Sequence, residues 1–208
     1  PRFITDIADG EYWVDDGTVD MLIQEAIDEA DAGATINVLA GTYAETVTFM
    51  DDGTELTGTD PGNRPNITGG IVADKNDVTL RNLVVTGVGA GSNIIRVSGT
   101  DLTMERVIVD GEDVVGRHGV AGGQINGDIS ITYCEFLNIK NWAAFDTRSG
   151  SGGPTTGADL DTVVFSNNVV RDTQGHIAIR GTIGDPITSV VMNGNLVEEI
   201  GSATNSFG

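Results

Sequence analysis

The sequence is poor in cysteine and lysine and contains no long apolar run. Cys134 is the single cysteine in 208 residues, which excludes an internal disulfide framework and a metal site built from cysteines. Lysine occurs only at Lys75 and Lys140. No apolar stretch approaches the length of a membrane span, and no secretory leader is recognisable. Glycine is abundant, at 29 residues, but follows no three-residue period, so a collagen-like chain is excluded.

What the sequence does have is acid. Asp and Glu total 31 against 11 Lys and Arg, a formal charge of −20. A surface of that sign repels phosphate backbones and anionic leaflets, so nucleic acid and membrane insertion are not expected. High charge can mark disorder, but the 39% of hydrophobic residues recur in short organised runs. The acids are dispersed in pairs such as Asp15-Asp16, Asp51-Asp52 and Glu198-Glu199. That dispersal reads as a solvated surface rather than a single groove for cations, and in about 1 M salt a screening length of roughly 3 Å weakens its self-repulsion. An aspartate-rich, arginine-over-lysine composition resembles that of haloarchaeal proteins.

Residues 1–19 read as a polar lead-in carrying the Tyr12-Trp13 pair. Residues 20–32 read as an amphipathic helix, with Leu22, Ile23, Ala26, Ile27 and Ala30 in one stripe, Asp20 as cap and Gly33 as stop. A lone helix of this kind needs an apolar surface to cover. Strand periodicity follows at 35–39 and 45–49, then turns at Asp51-Asp52-Gly53 and Pro61-Gly62-Asn63.

A repeat then organises the chain. Val78, Leu80, Leu83 and Val85 occupy offsets x, x+2, x+5 and x+7. The same offsets recur from Leu102, Ile129, Val163 and Val190, at spacings of 24, 27, 34 and 27 residues. Units of this size build a solenoid, each burying its core against the next. Positions x and x+2 share one strand face, x+5 turns a corner, and x+7 faces inward again. Asn168 and Asn195 fall at x+5 in adjacent units, where stacked amides can bond turn backbone. Cys134 holds the same position and reads as a small buried hydrophobe.

Ile23-Gln24-Glu25-Ala26-Ile27, Ile36-Asn37-Val38 and Gly41-Thr42-Tyr43-Ala44-Glu45-Thr46-Val47 resemble the cap and first coil of the pectin-lyase-like superfamily. The resemblance implies an all-β fold: a right-handed, single-stranded parallel β-helix spanning 20–208, with an N-terminal amphipathic capping helix. The superfamily includes lyases, hydrolases, esterases, adhesins and viral spikes, so the fold leaves activity open.

A site on such a fold must use outward residues of neighbouring coils. In His176-Ile177-Ala178-Ile179-Arg180 the isoleucines point in and His176, Ala178 and Arg180 point out. The same alternation turns Phe145 inward and Trp142, Ala144, Asp146 and Arg148 outward. Aligned by these strands, His118, Trp142 and His176 form an outward row flanked by Arg96, Asp146, Arg148 and Arg180. Rings over small neighbours suit an extended sugar, and arginines suit its carboxylates or sulfates. Each residue also has a plainer reading, as a loop hydrogen bond, a strand surface or a partner for a nearby acid.

Two functions follow. The leading one is an extracellular, cell-surface or virion-surface module with a structural or glycan-binding role. The other is a lyase or hydrolase acting on an acidic polysaccharide, with Asp146, Arg148, His176 and Arg180 as candidate catalytic residues. The superfamily resemblance makes calcium a candidate cofactor, although no metal-ligand set is recognisable in the sequence. Beyond Val197 the chain reads as the start of another coil, so further protein or a second subunit is expected to cover that end.

Overall fold

The computed structural model describes residues 4–6, 11–14, 22–87, 93–122, 125–141, 143–147, 160–174, 177–179 and 187–198. Strands in these segments wind into a parallel β-helix. Six coils, beginning at Thr35, Glu55, Val78, Thr100, Asn126 and Leu160, each give one strand to each of three sheets. A seventh coil supplies Ser189–Asn193 and Leu196–Glu198. In the fourth coil these strands are Thr100–Glu105, Ile108–Asp110 and Val115–Gly122, in the first, second and third sheets respectively. Neighbouring strands of successive coils are parallel throughout.

The register is the one the repeat implies. Val78, Leu102, Ile129, Val163 and Val190 are aligned partners in the first sheet. Val85, Val109, Phe136, Val170 and Val197 are aligned partners in the second. Val47, Ile71, Ile95, Val120 and Phe145 line the inside of the third. Phe165 of the first sheet meets Phe136 of the second at 5.7 Å and Phe145 of the third at 5.8 Å between ring centroids. One dry stack therefore runs along the axis, and each fully buried Leu, Ile or Phe in it contributes about 1.5–3 kcal/mol over exposure.

The inward positions of the seventh coil are exposed. Val190, Met192 and Val197 are 47%, 49% and 47% exposed, whereas Val163, Phe165 and Val170, one coil earlier, are at most 1% exposed.

At the other end, the helix spans Ile23–Glu29 and is shorter than the 20–32 expected. Ile23, Ala26 and Ile27 are buried as anticipated, but Leu22 is 44% exposed and lies at the N-cap. Asp20 lies outside the described residues. Glu45, from the first coil, accepts the N–H of Ile23 at 2.7 Å and of Gln24 at 2.9 Å. Gln24 accepts the N–H of Thr48 at 2.6 Å and donates to its carbonyl at 2.9 Å. A carboxylate at the helix N-terminus and an amide on a strand edge thus lock the helix over the first coil. Gly33, with φ at 81°, turns the chain into Thr35–Val38.

The lead-in carries structure that the sequence pattern did not reveal. Glu11–Val14 pairs in parallel with Thr35–Val38 and antiparallel with Ile4–Asp6. The Tyr12 hydroxyl donates to the Glu29 carbonyl at 3.1 Å, while Trp13 is 38% exposed.

Several of the dispersed acids serve the turns that enter the first sheet. Asp52 accepts the Asn76 N–H at 2.8 Å, and Asn76 in turn accepts the Thr100 N–H at 3.0 Å. Asp101 accepts the Asp128 N–H at 2.6 Å, and Asp128 accepts the Thr162 N–H at 3.0 Å. These side chains face water while bridging successive coils, so part of the acidic surface also organises the fold.

Candidate functional site

The outer face of the third sheet carries two of the proposed site residues, Arg96 and Asp146. Directly after each inward residue comes an outward one: Thr48, Val72, Arg96, Ala121, Asp146 and Ala178. Their strands pair Thr48 with Val72, Val72 with Arg96, Arg96 with Ala121, and Asp146 with Ala178. Ala121 and Asp146 both follow the Val120–Phe145 pair. Arg96 and Asp146 therefore stand in one column, two strand spacings or about 10 Å apart, with Ala121 between them. Phe145 faces in and Asp146 out, as the alternation required.

The groups in this column differ in how they are engaged. The Arg96 guanidinium pairs with Asp74 at 2.9 Å and keeps 41% side-chain exposure. Asp74 also accepts the Ser98 hydroxyl, so Arg96 is drawn toward the coil before it rather than toward Asp146. Ala144, expected to face outward, is fully buried. Ala121, between Arg96 and Asp146, keeps only 4% exposure.

His118 lies apart from this column. It pairs with Asn93, three residues before Ala121, and strand alternation gives it the phase of Val120. Its neighbour Arg117 is a strut: it donates to the Thr86 carbonyl at 2.8 Å and pairs with Glu112 at 2.8 Å. Trp142, Arg148, His176 and Arg180 lie outside the described residues. Among the described residues, no three His, Cys, Asp or Glu side chains stand together as a metal-binding group. No helix among them is long and apolar enough to cross a membrane.

The sequence reading passed over two residues on a different edge, Arg106 and Tyr133. Both sit at x+4, the corner between the first and second sheets, where other units carry Asn82, Asn167 and Gly194. Comparing the repeats at that offset would have singled them out.

The sequence matches no protein-family model and no curated protein. Solved structures do match. The chain is similar to an arginine-to-alanine mutant of the PL6 family alginate lyase AlyGC, with a TM-score of 0.68 and 20% identity over 93% of this chain. The unmutated lyase gives 0.64 and 18% over 86%. A pectin methylesterase mutant in complex with a hexasaccharide gives 0.43 and 16% over 74%. The fold is therefore a parallel β-helix like that of the alginate lyase. The chain spans 29% of the length of the lyase chain that it matches.

Proposed function

We propose that the chain is a glycan-binding β-helix module of an extracellular or surface structure, holding an extended acidic saccharide along the outer face of the third sheet. The observation that carries this reading is the column Arg96, Ala121, Asp146, in which a cation and a carboxylate stand about 10 Å apart across one small residue. A successive-coil spacing of about 4.8 Å lets a linear polymer lie along the axis and meet one outward side chain per coil. The guanidinium contacts sugar carboxylates, and Asp146 accepts from hydroxyls.

A second reading, a lyase acting on such a polymer, is supported by the likeness to alginate lyase across 93% of the chain. One assay separates the two. Wild-type protein is run through gels containing alginate, pectate or a neutral glucan, and the same mixtures are followed for unsaturated uronate ends. The binding module predicts retardation by a uronate polymer, weakened in Arg96→Ala and Asp146→Ala, with no new ends. Accumulation of unsaturated ends would establish the lyase instead. Equal mobility in every gel would remove both.

A further inference from the structure

One corner of the coil is occupied by residues that do not suit its backbone. Between the first and second sheets, successive coils turn through one residue at positive φ: Asn82 at 53°, Arg106 at 54°, Tyr133 at 56°, Asn167 at 57° and Gly194 at 63°. The N–H groups of Asn82, Arg106, Tyr133 and Asn167 donate to the carbonyls of Glu105, Thr132, Ser166 and Asn193 at 2.9–3.2 Å. The corner is thus a repeated backbone device. Glycine and asparagine enter this conformation readily, whereas arginine and tyrosine are disfavoured there.

The two misfits occupy adjacent coils and touch. The Arg106 guanidinium lies over the Tyr133 ring, its carbon 5.6 Å from the centroid. Tyr133 nevertheless remains 54% exposed. Beyond it along the solenoid come the exposed Asn167 and the bare Gly194. On the sheet beside the corner, Arg106 pairs with Glu105, Glu105 with Arg81 at 3.3 Å, and Arg81 with Glu55 at 2.7 Å. Two arginines and two glutamates cancel, leaving a locally neutral patch on a chain of formal charge −20. Backbone strain kept at two consecutive positions, with an exposed aromatic as its result, is the pattern of a binding site rather than of a packing necessity.

We propose that Tyr133 and Arg106 form a second saccharide site, separate from the third-sheet face, that takes a neutral pyranose. The ring presents a flat apolar surface, stiffened by the guanidinium, for the C–H face of a sugar. Glu105 and Asn167 stand beside it to bond hydroxyls. A neutral sugar fits this corner, because Arg81 and Arg106 are neutralised by Glu55 and Glu105 and the ring offers its apolar face.

Calorimetric titration with cellohexaose tests this, alongside a hexauronate of equal length. Tyr133→Asn installs the residue that neighbouring corners use, so it is expected to raise the melting temperature while weakening cellohexaose binding about tenfold or more. Tyr133→Phe keeps the ring and is expected to bind within a few-fold of wild type. Cellohexaose affinity unchanged in Tyr133→Asn would overturn the site, as would wild-type protein that binds no cellohexaose. Stronger binding of the hexauronate, lost in Tyr133→Asn, would overturn the neutral-sugar assignment.

Discussion

The side-chain oxygen of Asn168 accepts the main-chain N–H of Cys134, one coil earlier, at 2.8 Å. Its amide nitrogen reaches past that residue to donate to the Ile131 carbonyl at 2.9 Å. Asn195 repeats both bonds a coil later, to the Asn168 N–H at 2.9 Å and the Phe165 carbonyl at 2.7 Å. Cys134 is a weaker rung of the same ladder, its sulfur taking the Val107 N–H at 3.5 Å. The amides do not bond one another. Each satisfies the backbone of the coil before it, and this makes a buried polar residue compatible with an apolar stack.

Replacing Asn168 by alanine leaves a buried N–H and a buried carbonyl unmet. At roughly 1–3 kcal/mol for each such group, Asn168→Ala is expected to lower the unfolding free energy by about 2–4 kcal/mol in urea titrations. Asn195, which is only partly buried, should cost less. Equal and negligible losses at both positions would contradict the ladder.

Burial pushes the Cys134 thiol up to about 12. The thiolate is the reactive form, so the native protein should resist a disulfide-exchange reagent at mildly alkaline pH. One thiol per chain should then react once denaturant is added. Rapid native labelling would show that the corner opens.

Two carboxylates give opposite pH dependences. Burial raises Glu45 above its usual 4.5 despite the Gln24 and Ile23 N–H groups that pull it down, and nearby Glu25 adds to the rise. Its contribution is fully present below that value and is lost as pH rises through the raised folded value. Asp52 is lowered below 3.8 by the Asn76 N–H and then by the Asn76 amide. Its contribution is present above 3.8 and is lost as pH falls through the lowered folded value. In urea titrations across the acid range, Glu45→Gln should flatten the decline on the rising side. Asp52→Asn should flatten the loss on the acid side.

Thr173 is fully buried, and its hydroxyl has no hydrogen-bond partner among the described residues. Valine has nearly the same shape without the unmet group. Thr173→Val is therefore expected to stabilise the protein by about 1 kcal/mol, seen as a higher urea midpoint with an unchanged slope.

The coil repeat was legible because inward residues alternate within each strand and recur at fixed offsets, so Leu80, Met104, Ile131 and Phe165 announce their own register. The helix cap was not, because Glu45 acts on Ile23 from the first coil, beyond any local capping rule. The strand at Glu11–Val14 was hidden by its polarity: only Val14 in it is fully buried. At the candidate site, the facing of Phe145 and Asp146 could be read from alternation within one strand. The alignment of His118 could not, because connections of unequal length separate the strands, and register across coils is set by backbone pairing. Tyr133 escaped notice because tyrosine is not a residue type that marks a left-handed turn.

The most direct test of the glycan-binding face is amide chemical-shift mapping of the wild-type protein during titration with an oligouronate. Binding along the third sheet predicts shifts concentrated at Val72, Arg96, Ala121 and Asp146 and attenuated in Arg96→Ala. Shifts confined to another face, or none at saturating oligouronate, would contradict it.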